Sequence, residues 1–401
     1  MAGTEQQVCG RHAKRSDRGS LPDSPKVSLV TDQTHSIWQK KLLAVLSAAM
    51  VAGLLIATLW PFDFFRSNKV DWLPGENGIR ITGPGVVLGK APSTAGGSES
   101  NDSATLEILL RPAGMDFLRT VVGFYGPSNP RQLLLRQSED TLLVLHDNVD
   151  PHYKFKTARI RVDHVLQPGK LVLITVSSGP GGTTVYSNGV EQQTFPAFKI
   201  SQSDLAGQIV IGTSPIRYDP WRGEVRGVAI YAKELTPAEI ARNYAAWVSV
   251  NAAAPADTNG AAARYAFTEG AGRIIHSTVS SAPDLEIPKR FVVPDKAFLQ
   301  SPAKHFEKTW FYLHDVLVNI AGFVPLGFLL CANLGWTRKW QHAILFSVLA
   351  GGALSFLIEV LQAYIPQRDS GMTDVITNTL GAAVGALLAR PNLVRSILGK
   401  S

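Results

Sequence analysis

Hydrophobic positions are unevenly distributed along this 401-residue chain. Four apolar runs, Leu42 to Trp60, about Asp315 to Gly335, His342 to Ala363 and Asp374 to Ala389, stand near its ends, and a long polar middle separates the first from the others. A helix rising about 1.5 Å per residue needs about 20 residues to cross about 30 Å of hydrocarbon. The first three runs are long enough, and the fourth is shorter and rich in Gly and Ala.

Between Val70 and about Val250 the pattern changes to short β-type runs parted by Gly, Pro, Asn and Ser: Thr105 to Leu110, Thr120 to Phe124, Gln132 to Arg136, Thr141 to His146, Lys170 to Val176, Thr183 to Tyr186, Gln208 to Ile211 and Glu224 to Tyr231. Many short strands with turn signals between them predict an antiparallel sandwich or jelly roll. Asn188-Gly189 supplies the pair that a tight hairpin prefers, because both central residues need positive φ. Thr236-Pro237-Ala238-Glu239 reads as the N-cap, first-turn Pro and capping-box Glu of a short helix ending near Trp247. A low-complexity linker at about 251–263 follows. The expected fold class is mixed: an all-α polytopic domain of four transmembrane helices, and an all-β domain at about 65–290 inserted between the first helix and the other three.

Lys and Arg gather in the flanks of the apolar runs. Arg11, Lys14, Arg15, Arg18, Lys26, Lys40 and Lys41 precede the first, Arg338 and Lys339 lie between the second and third, and Arg390, Arg395 and Lys400 follow the last. The positive-inside rule puts these segments in the cytoplasm, both termini included, and about 61–311 and the loop 364–373 outside. A cleaved signal is the alternative for the first run, but about forty residues precede it and no small-x-small site follows it cleanly. The net charge of +7 owes much to these flanks, so lipid is an expected partner and nucleic acid is not. Cys9 falls in the tail and Cys331 in a helix, so the outer domain must be held by its core without a disulfide.

Val185-Tyr186-Ser187-Asn188-Gly189-Val190, Ile209 to Gly212, and Trp221-Arg222-Gly223 through Val228 to Tyr231 and Leu235 to Ile240 resemble the laminin-G-like, concanavalin A-type jelly rolls. Arg264 to Gly272 is similar to the phrase that opens such a domain, yet it follows the closing strand, which implies a permuted order with that strand beside the domain's beginning. The resemblance implies glycan or protein ligands, in some members with calcium. Arg226-Gly227 stand where the family tends to carry acidic residues, which argues against a calcium site, and no cofactor is expected. Tyr218 and Trp221 are candidate glycan contacts, with core or edge packing as the other reading. Asp147, Asp150, His152 and Asp219 fall in expected loops, where solvated polarity competes with a ligand rim.

Polar groups at membrane depth are costly and need partners. Asp315 with Asn319 and Gly322, Ser355 with Glu359 and Gln362, and Asp374 with Asn378, Gly381 and Gly385 each fall on one helix face, in the outer layer, and these faces should turn inward. Arg368 is the expected cation for Glu359, Asp369 or Asp374. Asp315 and Asp374 also read as interfacial caps at helix N-termini. Trp60, Trp310, Trp336 and Trp340 fit an aromatic belt. Asp315-Val-Leu-Val-Asn319 through Pro325-Leu-Gly-Phe, Glu359-Val-Leu-Gln362 to Pro366-Gln-Arg368, and Asp374-Val-Ile-Thr-Asn378-Thr-Leu-Gly381 resemble the VanZ family of bacterial membrane proteins, and Leu59-Trp60-Pro61-Phe62 resembles the end of its first helix.

These resemblances imply a multi-pass protein of the bacterial cytoplasmic membrane, linked to glycopeptide (teicoplanin) resistance. Its expected ligand is an envelope glycan or cell-wall precursor, and other membrane proteins are possible partners. Asp315, Asn319, Glu359, Gln362, Arg368, Asp374 and Asn378 are the expected membrane pocket. Two alternatives stay open: an enzyme using these carboxylates as acid and base on a lipid-linked precursor, and an anchored adhesion protein. No nucleophile motif or metal-ligand spacing accompanies the carboxylates, so binding is expected ahead of catalysis.

Overall fold

The computed structural model describes residues 26–92, 103–148, 156–249, 260–302, 310–390 and 393–394. Arg11, Lys14, Arg15, Arg18, Arg395, Lys400, Cys9, Asp150, His152 and most of the expected linker lie outside these residues.

Helix α1 (Lys26–Leu59) starts well before the first apolar run. Among the described residues sixteen strands follow: β1 (Val70–Trp72), β2 (Ile79–Ile81), β3 (Val87–Lys90), β4 (Ala104–Pro112), β5 (Arg119–Gly126), β6 (Asn129–Ser138), β7 (Thr141–Asn148), β8 (Lys156–Val162), β9 (Val172–Gly179), β10 (Gly182–Ser187), β11 (Val190–Phe195), β12 (Gln208–Ile211), β13 (Gly223–Tyr231), β14 (Ala261–Tyr265), β15 (Ile274–Ile275) and β16 (Leu285–Glu286). They form two antiparallel sheets, ordered β1-β2-β13-β4-β9-β10-β11 with β14 on β13, and β15-β16-β3-β12-β5-β6-β7-β8. The hairpin β10-β11 turns at Asn188 and Gly189, both at positive φ.

Leu106, Ile108, Leu110, Val225, Val228 and Ile230 of the first sheet share one buried core with Val122, Phe124, Leu133, Leu135, Ile209 and Ile211 of the second. A bulge between Val225 and Gly227 lets Val225 and Val228, three residues apart, both contribute. Helix α2 (Pro237–Val248) begins with the expected capping box of Thr236 and Glu239. It packs Ile240 and Trp247 against Leu109, Ala229 and Tyr231 on the first sheet. Beneath it, the buried Glu107 accepts hydrogen bonds from Trp247 Nε1 (3.0 Å), Asn243 Nδ2 (3.0 Å) and Tyr231 Oη (3.2 Å). Burial raises the Glu107 pKa against the pull of these donors. Arg264 of β14 lies over the Trp247 ring at 4.1 Å.

The domain has the permuted order read from Arg264 to Gly272. One edge of β13 pairs with β2 through Val225 and Ile79, and with β14 through Val228 and Tyr265. β14 therefore lies end to end with β2, and Gly78 N donates to Phe267 O (2.9 Å). The linker is shorter than expected, because Ala261 to Ala263 complete this strand. The domain's ends meet: Asn68 Nδ2 donates to Pro288 O (2.8 Å) and Phe291 N to Arg66 O (2.9 Å).

The last three helices are α3 (Trp310–Leu334), α4 (Trp340–Ala363) and α5 (Met372–Leu388). Ile37–Leu59, Tyr312–Leu334 and Trp340–Ala363 are long and apolar enough to cross a membrane, whereas α5 is shorter. α3 and α5 touch backbone to backbone, with Gly381 against the Ile320 carbonyl and Gly385 against that of Val324, the approach that small residues permit in bilayers. α1 joins them through Leu43 beside Cys331 and Ala386, and Leu59 beside Phe323 and Ile358. Trp60 and Trp310 are exposed, while Trp336 and Trp340 pack partly into the bundle.

Candidate functional site

Polar side chains gather where α3, α4 and α5 meet the segments leading to the jelly roll. Ser355, Glu359 and Gln362 are buried on one face of α4, and Asn378, Gly381 and Gly385 on one face of α5. Asn319 Nδ2 donates to Asp374 Oδ1 (2.9 Å), and Asn378 Nδ2 donates to Ser355 Oγ (2.9 Å). Ser355 Oγ lies 3.5 Å from the Asp374 carbonyl, so Asn319, Asp374, Ser355 and Asn378 form one chain of contacts. Asn378 Oδ1 is buried without a hydrogen-bond partner. Glu359 is 2% exposed. Its Oε2 accepts from Gly371 N (2.7 Å) and its carbonyl accepts from Ser370 Oγ (3.0 Å), which fastens the α4–α5 loop onto α4.

Two of the expected pocket residues serve the end of α1 instead. Gln362 Nε2 donates to Thr58 O (3.0 Å), and Arg368 Nη2 donates to Trp60 O (3.0 Å). The last carbonyls of a helix lack intrahelical donors and carry its negative end, so an amide and a guanidinium are suited to them. This corrects the pairing of Arg368 with a carboxylate. Asp315 is exposed rather than turned inward, 3.6 Å from His314. With Tyr312, Asp369, Thr373 and Asp374 it lines a cavity of about 210 Å³.

Sequence reasoning missed Lys296. Its Nζ donates to the carbonyls of Gln362 (3.1 Å), Ala363 (3.2 Å) and Ile365 (2.6 Å), capping α4 from the segment that leaves the jelly roll. Burial lowers the Lys296 pKa, and the Asp369 charge opposes the shift. A lysine in an irregular segment carries no local signal for such a role.

Trp221 is fully buried and donates through Nε1 to Gln137 Oε1 (2.6 Å), so its ring fills the core and is closed to a glycan. Tyr218 is half-buried; its hydroxyl accepts from Arg66 Nη1 (3.0 Å) and Gln367 Nε2 (3.3 Å), bridging the jelly roll and the α4–α5 loop. Asp147 and Asp219 are buried partners rather than rim residues. Asp147 Oδ1 accepts from Thr157 Oγ1 (2.5 Å), and Asp219 Oδ2 accepts from Arg136 Nη2 (3.0 Å). Among the described residues, no group of three or more His, Cys, Asp or Glu is placed to hold a metal ion.

Residues 272–395 match the VanZ/LLP1 family model, and residues 91–241 match that of the concanavalin A-like lectin/glucanases superfamily. The chain joins a VanZ-type region to a concanavalin A-like domain. The VanZ-type match contains Lys296, Asn319, Glu359, Arg368, Asp374 and Asn378, and begins before β15, while α1 lies outside it. No curated protein matches the chain. Similar solved structures include a Bacteroides ovatus protein described as carbohydrate binding, with TM-score 0.37 and 14% identity over 57% of this chain and 62% of that one. The binding domain of botulinum neurotoxin DC, in complex with rat synaptotagmin II, has TM-score 0.35 and 14% identity over 45% of each chain. A heptameric SAP-like pentraxin from Limulus polyphemus has TM-score 0.33 and 14% identity over 55% of this chain and 95% of that one. The chain thus spans less than two thirds of the first two.

Proposed function

We propose that the protein sits in a bacterial cytoplasmic membrane with four crossings and both termini inside, and that its jelly roll stands outside and binds an envelope glycan or cell-wall precursor. The observation carrying this reading is the docking of the jelly roll on one end of the helix bundle, through Lys296 on the α4 carbonyls and Tyr218 on Gln367. Lys40, Lys41, Arg338, Lys339 and Arg390 flank the helices at the opposite end, which supports an outward orientation, while Arg66, Lys296 and Arg368 stand at this one. α5, at 17 residues, spans about 25 Å and completes its crossing where the bilayer thins. The superfamily match supports a glycan ligand, and the VanZ-type region supports a part in teicoplanin resistance.

Full-length protein in nanodiscs, titrated with envelope polysaccharide and wall precursor, tests the binding, and a deletion strain tests teicoplanin susceptibility. Absence of binding to both ligands refutes the glycan reading. Unchanged susceptibility refutes the resistance role. The cavity beside Asp315, Asp369 and Asp374 favours a second reading, an enzyme acting on a lipid-linked precursor through paired carboxylates. Turnover in detergent that Asp374→Asn abolishes is its expected sign, and no turnover with such precursors refutes it.

A further inference from the structure

The outer face of the first sheet carries a polar concentration separate from the helix-end network. In the ladders of β13 with β2 and β4, Glu224 lies opposite both Arg80 and Arg111. Arg80 Nη2 and Arg111 Nη1 each reach its carboxylate at 2.9 Å, and Arg226 Nη2 adds a third contact at 2.9 Å. One buried carboxylate is thus already saturated by three guanidiniums. Arg222, held by Asp116 at 2.6 Å, stands beside them.

Arg80, Arg111, Arg222 and Glu224 line a cavity of about 370 Å³, with Asp116 and Arg226 bonded to them from outside its lining. The volume falls in the range of about 300–1,000 Å³ usual for small-molecule sites. Arg80 and Arg222 keep 50% and 55% of their side chains exposed, and Arg111 Nε is buried without a partner. The wall is low where Gly114 and Gly169 line it, since a Cβ on either would meet nothing within 4 Å. The loop that supplies Gly114 and Asp116 also presents Met115 and Phe117, both more than 60% exposed.

We propose that this cavity binds an acidic saccharide, one whose sugar carries a carboxylate or a phosphate. Glu224 and Asp116 take the Nε and Nη2 edges of Arg80 and Arg222, so it is the Nη1 groups of these half-exposed guanidiniums that meet the anion as charge-assisted donors. The low glycine wall admits a sugar ring, and Phe117 offers a face for stacking. This rests on the glycan-binding reading of the jelly roll and narrows it to acidic glycans.

The test uses the full chain in zwitterionic nanodiscs, titrated with trigalacturonate, its carboxyl-reduced neutral counterpart and glucose 6-phosphate. The expected result is binding of at least one acidic probe and not of the neutral one, the two acids telling carboxylate from phosphate. Arg80→Gln and Arg222→Gln should each weaken binding about tenfold, the scale of a lost charge-assisted contact. Gly114→Phe should abolish it by filling open space, and thermal unfolding of all three variants should stay near that of the parent. Equal binding of the neutral trisaccharide, unaffected by the three variants, overturns the acidic site while leaving the glycan reading standing. Failure of all three probes where envelope polysaccharide still binds also overturns the acidic site alone. Failure of probes and polysaccharide together overturns both.

Discussion

Lys296→Met should release the jelly roll from the end of α4. Methionine keeps the apolar stem and removes the ammonium, so the carbonyls of Gln362, Ala363 and Ile365 lose one shared donor. Summing three charged hydrogen bonds would overstate the loss, because the half-buried ammonium is itself desolvated, as its lowered pKa records. A partly buried cation at a helix C-terminus contributes up to about 2 kcal/mol, and the half-buried site of Lys296 puts it near that limit. The perturbation is local, so hydrogen exchange is the assay. Amides at 364–371 should exchange about 30-fold faster, the equivalent of about 2 kcal/mol in a local opening equilibrium, while β4, β9 and β13 stay protected. Lys296→Arg should restore part of the protection. Exchange at 364–371 within about twofold of the parent would refute the idea that this cap holds the two parts together.

Further predictions concern each layer of the fold. Glu239 has its pKa lowered to about 2, chiefly by Lys233 and by the backbone and side chain of Thr236. A depressed carboxylate stabilises above its unfolded value near 4.5 and loses that contribution as pH falls toward 2. Glu239→Gln should therefore cost about 0.5–1 kcal/mol at neutral pH, discounted for exposure, and melting curves of parent and variant should converge near pH 2. Gly385→Leu should force α3 and α5 apart and cost more than about 3 kcal/mol. Gly322→Ala, whose added Cβ meets nothing within 4 Å, should melt like the parent. Trp221→Phe should leave Gln137 Oε1 without its donor and lower stability by about 1–3 kcal/mol, with saccharide affinity unchanged in nanodisc titrations of the folded fraction.

The elements with strong period or length were legible in the sequence. Three helices announced themselves because a bilayer demands long apolar runs, and β4, β5, β6 and β13 because their short β-type runs are bounded by turn residues. β15 and β16, two residues each, had no period to show. They exist because β3 offers an edge, which is a property of the finished sheet. The buried faces of α4 and α5 followed from spacing alone. The partners did not follow, and Arg368 shows why. Sequence can tell that a cation at this depth needs an acceptor, and the eye goes to Glu359 or Asp374. Every residue also carries a carbonyl, and the acceptor chosen was Trp60 O, which leaves no mark in the letters.

The same blindness hid Lys296, and its placement has a consequence for how the two parts move. A domain inserted between α1 and α3 through two flexible links would drift relative to the membrane. Here the entering strand at Arg66 and Asn68 is bonded to the leaving strand at Phe291 and Pro288, so the two links act as one stalk. Phe291 and Val293 then pack on Val86 and Val210 of the second sheet, and Lys296 follows within one turn of chain to reach α4. Ile358 on this helix and Ile365 just past its end pack in one cluster with Leu59 of α1, while Gln362 and Arg368 hold the carbonyls of Thr58 and Trp60 at the end of α1. The first helix, the sandwich and the C-terminal helices are thereby closed into one ring of contacts. A load on the second sheet reaches the helices through the Phe291–Lys296 strap, through the Tyr218–Gln367 contact and through the chain link at Arg66.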